Sequence, residues 1–304
     1  MTQLKNNYIR FSDLPSNDII PTLDRALEFK SGATSASLRD KTIVLLFEKP
    51  SLRTKLSFWR GIKLLGGNPI YFGPEEVGFG KREPIKDIAN VISRLSDLVV
   101  IRTFEDSSLD AFASASEIPV INGLSNGEHP CQALADLLTI YEKKSDLHDI
   151  KVAFIGDANN VAKSLAYGIA GVGGTLNIAS PNGYGLKEDV LRSIKNYGSG
   201  SVNQMEQPII AVKNADFVYT DVWTSMGQES EIKKRAEDFK DYQVTPNLLK
   251  KAKPSVKFMH DMPAHDGEEI SEGLLYDERS IVFNQAENRL WAQVALMDGW
   301  LNQK

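Results

Sequence analysis

Apolar positions along this chain switch repeatedly between strand-like runs and helical spacing. Residues 42–47 (Thr-Ile-Val-Leu-Leu-Phe) form the short unbroken run that a fully buried strand needs. Leu56, Phe58, Trp59, Ile62, Leu64 and Leu65 then recur at helical intervals until Gly66-Gly67 ends the pattern. The alternation predicts a strand at 69–72, a helix at 85–95, a strand at 98–101, a helix at 109–116, a strand at 119–121 and a helix at 131–141. A second series gives a strand at 151–155, a helix at 160–170 and a strand at 175–179, with further strands at 217–220 and 256–259. Strands alternating with helices imply parallel pairing through crossovers. The expected fold is therefore α/β: two doubly wound domains, each a central parallel sheet flanked by helices, with a cleft between them. The polar run 142–149 reads as the link. It separates a first domain, 1–145, from a second, 150–285, and the terminal helix within 286–304 has no strand after it and is expected to pack back on the first domain.

Length and composition narrow this picture. At roughly 150 residues per domain, 304 residues make two units, and 42% hydrophobic with 25% charged residues excludes collagen-like, low-complexity and disordered classes. Lys and Arg total 35 against 40 acids, a net charge of −5, so nucleic acid and anionic membranes are not expected partners. One cysteine and four histidines offer no disulfide and no metal-ligand spacing, which points to a reducing cytoplasm and to no metal. The first ten residues lack an apolar segment, and no run of 18 apolar residues occurs, so neither a signal peptide nor a membrane span is expected.

In doubly wound sheets ligands bind beyond the carboxyl ends of strands, so the polar residues just after each strand are the informative ones. Glu48-Lys49-Pro50-Ser51-Leu52-Arg53-Thr54-Lys55 hands a strand over to a helix, whose unpaired N–H groups and positive dipole end can bind an anion. Ser51 and Thr54 add hydroxyls, and Arg53 adds a guanidinium fork suited to phosphate. The plain alternative for this segment is a serine N-cap with solvated basic neighbours. Arg102 follows a strand, Arg289 lies at the terminal helix, and His129 and Gln132 project from a helix start. Cys131 has no nucleophile-type partners in sequence and reads as packing. The turn Gly156-Asp157-Ala158-Asn159-Asn160 fits neither the phosphate-binding P-loop nor the dinucleotide fingerprint. Two loops of the second domain, 221–227 and 260–265, place carboxylates after strands, which suits an amine. An anion site in one domain and an amine site in the other are what joining a phosphate-bearing donor to an amine acceptor requires.

These residues resemble the carbamoyltransferase family, closest to its ornithine-using branch. The resemblance rests on five motifs in register: Phe47-Glu48-Lys49-Pro50-Ser51-Leu52-Arg53-Thr54; Arg102-Thr103-Phe104; Asn122-Gly123-Leu124 leading to His129-Pro130-Cys131-Gln132; Asp221 through Gly227 as D-x-x-x-S-M-G; and Gln285 through Arg289 as Q-A-E-N-R. It implies transfer of the carbamoyl group of carbamoyl phosphate to the side-chain amine of L-ornithine, giving citrulline and phosphate, a step of arginine biosynthesis. It also implies a homotrimer or a multiple of trimers, with no cofactor and no metal. Carried over by position, Ser51, Leu52, Arg53 and Thr54 hold the phosphate of carbamoyl phosphate, and Arg102, His129, Gln132 and Arg289 address its carbamoyl end. Leu124, Asn160, Asp221, Ser225 and Met226 hold ornithine. Arg53, Arg102 and His129 would stabilise the charge that grows on the carbonyl oxygen, each by about 3 kcal/mol if placed like an oxyanion-hole donor. Asp221 would hold the amine and help it shed a proton.

The pattern breaks at His260-Asp261-Met262-Pro263, where the family reads H-C-L-P. Asp261 and Met262 keep that loop's place in the catalytic and carbamoyl-phosphate sets, but Asp261 adds a second acid near Asp221, which would hold an ammonium more firmly or select another amine. Leu52 removes a hydroxyl, and Lys55 replaces an arginine. Gly78 stands where ornithine enzymes commonly send a glutamine into a neighbouring site, with Lys81 and Arg82 as possible substitutes, and Asp266 stands where arginine is frequent. Three rival readings follow: a carbamoyltransferase for another amine such as putrescine, a non-catalytic binding protein of the same fold, and, more distantly, a nucleotide-binding dehydrogenase.

Overall fold

Four parallel strands, β1 (Thr42–Phe47), β2 (Asn68–Phe72), β3 (Leu98–Arg102) and β4 (Val120–Leu124), form a sheet in the order β2-β1-β3-β4 in the computed structural model, which describes residues 7–80, 83–225 and 227–302. Every residue of β3 is buried, as expected for a central strand covered on both faces. The covering helices are α1 (Ser16–Lys30), α2 (Leu52–Leu64), the short α3 (Pro74–Val77), α4 (Ile85–Leu95), α5 (Asp106–Ala115) and α6 (Pro130–Tyr141). Leu109 and Phe112 of α5 pack with Val44, Leu46, Val99 and Ile101 of the sheet.

A second, five-stranded parallel sheet has the order β7-β6-β5-β8-β9, built from β5 (Lys151–Ile155), β6 (Thr175–Ala179), β7 (Ser201–Met205), β8 (Phe217–Thr220) and β9 (Lys257–His260). Its helices are α7 (Asn160–Gly171), α8 (Glu188–Tyr197), α9 (Pro208–Ala211), α10 (Ile232–Asp238) and α11 (Pro246–Leu249), followed by the terminal α12 (Val282–Asn302). The chain divides into two units. One runs to Leu138 and resumes from Glu287; the other is Thr139–Ala286, so α6 and α12 each cross the division. Two parallel sheets flanked by helices are the α/β architecture expected from the sequence. Among the described residues no helix is long and apolar enough to cross a membrane.

Several elements exceed the apolar pattern. α2 begins at Leu52, a turn before its first apolar marker, because Ser51 caps it. The apolar spacing does not reveal β7, α8 or α1. β7 is an edge strand of mostly exposed polar residues, and α8 buries only Ile194. α1 buries Ile19, Leu23, Ala26 and Phe29 at helical spacing, but it carries Pro21 inside, a residue that ordinarily ends a helix.

Candidate active site

Where β1 hands over to α2, Ser51 is extended (φ −159°, ψ 115°) and its Oγ accepts the Thr54 N–H at 3.3 Å. This N-cap leaves the first turn of a 13-residue helix facing outward with its positive dipole end. Leu52 is 78% exposed, so its side chain is turned to solvent and its contribution to an anion site is its backbone. Thr54 is buried, and its Oγ1 receives hydrogen bonds from Ser51 Oγ (3.0 Å) and from Arg289 (2.9 Å). The other arm of the Arg289 guanidinium donates to Gln132 Oε1 at 2.7 Å, and Gln132 Nε2 donates to Asp136 Oδ1 at 2.8 Å. Three stretches far apart in sequence thus join in one buried network. Arg53, half-buried on α2, and buried Arg102, at the end of β3, add charge to it.

His129 ends the loop before α6. Gly127 lets the Asp106 carboxylate lie close against that loop, since a Cβ there would come within 2.3 Å of Asp106 Oδ2. Burial holds the His129 imidazole well below its ordinary pKa, and Arg289, Arg102, Lys49 and Arg53 push in the same direction. At neutral pH the ring is uncharged, with one N–H to donate. Lys49 is buried as well: its Nζ donates to Asn126 Oδ1 at 2.7 Å and sits 4.2 Å from the centre of the Phe104 ring. Burial, seconded by Arg102, lowers its pKa to about 8. Burial pushes the Cys131 thiol up to about 12, and Sγ donates to Asn122 O at 3.4 Å, so Cys131 is a packing residue. Leu124 is aligned with Arg102 across a register shift between β3 and β4.

In the second unit, β8 and β9 run parallel with Thr220 opposite His260. Asp221 and Asp261 are the next residue of each strand and therefore emerge side by side at the carboxyl edge of the sheet. Asp221 is held at both oxygens: Asn159 Nδ2 donates to Oδ2 at 2.6 Å and the Val222 N–H to Oδ1 at 2.7 Å. Asn159 is itself the N-cap of α7, accepting the Val161 and Ala162 N–H groups. Asn160 accepts the Val161 N–H at 3.1 Å, and the Ser225 N–H donates to Gln228 Oε1 at 3.0 Å. Behind Asp221, buried Arg235 binds Asp157 Oδ2 (2.7 Å), the Trp223 carbonyl (2.9 Å) and Glu231 (2.9 Å), tying the 221–227 loop to the end of β5. The Asp157 carboxyl is raised by burial, which outweighs Arg235, with Asp221 adding to the rise.

Asp221, His260 and Asp261 bring one ligand atom each within 4.8 Å of one another. A metal does not fit this trio. His260 Nδ1 already accepts the Met262 N–H at 2.9 Å, and Nε2 pairs with Glu269 at 3.1 Å, so the ring has no lone pair to give. Two adjacent carboxylates remain, a pair suited to an ammonium group.

Met226, Lys81 and Arg82 lie outside the described residues. Three residues gain a role that sequence reasoning did not assign them. Lys49 was visible inside the first motif, Asn159 had the signal of an N-cap before a helix, and Glu269 had none.

The chain is similar to known proteins along nearly its whole length. The family described as aspartate/ornithine carbamoyltransferase matches twice, by its carbamoyl-P binding domain at residues 6–142 and by its Asp/Orn binding domain at residues 148–299. The ornithine carbamoyltransferase of Bacillus subtilis is 44% identical over 292 residues, 95% of this chain and 92% of that protein. The one from Archaeoglobus fulgidus is 43% identical over 293 residues, 95% of each. Among solved structures, ornithine carbamoyltransferase from Pyrococcus furiosus superposes with a TM-score of 0.91 at 38% identity, covering 97% of both chains. The anabolic enzyme of Campylobacter jejuni gives 0.94 at 31% identity over 99% of this chain and 100% of its own. Matched in both domains and over nearly its whole length, the chain belongs to the aspartate/ornithine carbamoyltransferase family.

Proposed function

We propose that the protein transfers the carbamoyl group of carbamoyl phosphate to the δ-amine of L-ornithine, releasing citrulline and phosphate. The observation that carries this reading is the buried network Ser51–Thr54–Arg289–Gln132 at the start of α2, flanked by Arg53, Arg102 and uncharged His129. The first turn of α2 and Arg53 take the phosphate. Arg102, His129, Gln132 and Arg289 take the carbamoyl group, and Lys49 supplies a further cation.

An amine of ordinary pKa near 10.4 is almost wholly protonated at neutral pH, and its deprotonation costs about 4–5 kcal/mol. Asp221, with Asp261 beside it, holds and orients the ammonium of ornithine; the pair favours the charged form, and Asp221 is the group placed to take up its proton before attack. Once Asp221 has taken the ammonium proton, the amine nitrogen bonds to the carbamoyl carbon, the bond from that carbon to the bridging oxygen breaks with its electron pair going to phosphate, and the nitrogen's second proton passes to the departing phosphate. The imidazole N–H of His129 and the guanidinium groups meet the negative charge on the carbonyl oxygen as it forms. Asn160, Ser225, Met226 and Leu124 complete the ornithine contacts, and Asp261 and Met262 edge the carbamoyl phosphate. We further read the enzyme as a cytoplasmic homotrimer, the first on its single buried cysteine and the second on its family.

The test is product identity. With carbamoyl phosphate and either ornithine or putrescine at equal concentration, citrulline should form at least about a hundredfold faster than carbamoylputrescine; the reverse preference, or no carbamoyl transfer at all, would overturn the proposal.

A further inference from the structure

Glu269 is a fully buried carboxylate in the turn after the 260–263 loop. Its backbone is fixed by the Val244 N–H, which donates to Glu269 O at 2.8 Å, and by the return bond from the Ser271 N–H to Val244 O at 3.0 Å. Its Oε1 accepts the His265 N–H at 2.6 Å and lies 3.1 Å from Nε2 of His260, a ring that is itself fully buried. Because the Met262 N–H donates to Nδ1 of that ring, the ring proton sits on Nε2 and points at Glu269. From the other side, Gln285 Oε1 accepts the His260 N–H at 2.9 Å.

The bond from Met262 to His260 spans the residue between them, Asp261. It also holds Met262 at φ 56°, a left-handed conformation that a methionine adopts only when its surroundings impose it. Asp261 Oδ1 ends 3.6 Å from Nδ1 of the same ring. Strand register brings Asp261 beside Asp221, and the turn that carries it is braced by one imidazole that is itself hydrogen-bonded to one buried carboxylate.

We infer that Glu269 is a positioning residue of the acceptor site, acting through His260 on the turn that carries Asp261. The inference rests on the proposed reaction with ornithine and names the residue that aligns its second acid. Glu269 touches no substrate; its loss lets the ring rotate and the turn relax.

The experiment uses the full-length enzyme and steady-state kinetics with each substrate varied. Glu269→Met keeps the length of the side chain and removes its acceptors, so the KM for ornithine should rise about tenfold or more while that for carbamoyl phosphate stays within about twofold. Glu269→Gln retains an oxygen at the Oε1 position and should restore the ornithine KM to within about threefold of wild type. His260→Asn serves where the methionine variant does not fold: its side-chain oxygen can still accept the Met262 N–H as an Asx turn but cannot reach Glu269, and ornithine KM should rise in the same selective way. An ornithine KM unchanged in Glu269→Met, or both KM values rising together, would overturn the inference. Wild-type enzyme that makes no citrulline would instead overturn the proposed function on which it depends.

Discussion

Arg289 and Asp221 sit at the centre of two sites built by different means. Around Arg289 the side chains hold one another: Thr54, Gln132 and Arg289 come from three distant stretches, and each completes the hydrogen bonding of the next. Around Asp221 the partners are local to the sheet edge. Its neighbour Asp261 arrives by strand register, and Asp221 itself is pinned by one backbone amide and one polar side chain. A mutually bonded cluster fails as a unit when one member is removed, because buried partners are left without donors or acceptors. A set of separately pinned acids should fail piece by piece.

The sharpest break in this contrast is Arg289→Met. It should lower kcat/KM for carbamoyl phosphate by about 10²–10³, on the scale of removing one oxyanion-hole donor, and Gln132→Ala should then add little in the Arg289→Met background, since the two act through one network. Initial-rate measurements on the single and double variants check both statements. On the acceptor side Asn159→Ala should raise the ornithine KM by about tenfold and leave that for carbamoyl phosphate unchanged. The same substitution removes the α7 N-cap, so urea unfolding should show a loss of about 1 kcal/mol.

A smaller effect separates the sites by pH. Lys49 loses its charge above about pH 8, so the carbamoyl phosphate KM should climb several-fold between pH 8 and pH 9, and Lys49→Arg should flatten that climb. The smallest effect is on stability. The folded state keeps His129 uncharged, whereas the unfolded chain takes up a proton near the ordinary histidine value of 6.5. The unfolded state therefore binds more protons as pH falls through this value, and stability drops by about 0.7 kcal/mol between pH 7 and pH 6. His129→Gln should remove that part of the slope in denaturant titrations at the two pH values.

The contrast also explains what the amino-acid order made legible. β1, β5, β6 and β8 and the helix α4 lie where the apolar pattern places them, because each is dominated by the burial that the pattern records. β7 and α8 were hidden, since an edge strand and a mostly solvated helix bury too little to leave a period. Thr54, Gln132 and Arg289 lie in contiguous sequence motifs, and so does Asp221. Asn159 and Glu269 were not legible, because what gives them a role is a single tertiary hydrogen bond: Asn159 to an acid 62 positions away, Glu269 to an imidazole that looks like an ordinary motif residue. Asp261 departs from the family pattern in sequence, where the resemblance already implies a second acid near Asp221, and strand register supplies the physical reason.

The division of labour between the two sites can be tested without turnover. Equilibrium binding of labelled carbamoyl phosphate, with no amine present, should be as tight in Asp221→Asn as in wild type and about a hundredfold weaker in Arg289→Met. Equal loss of binding in both variants would contradict a donor site whose affinity comes mainly from the Arg289 network.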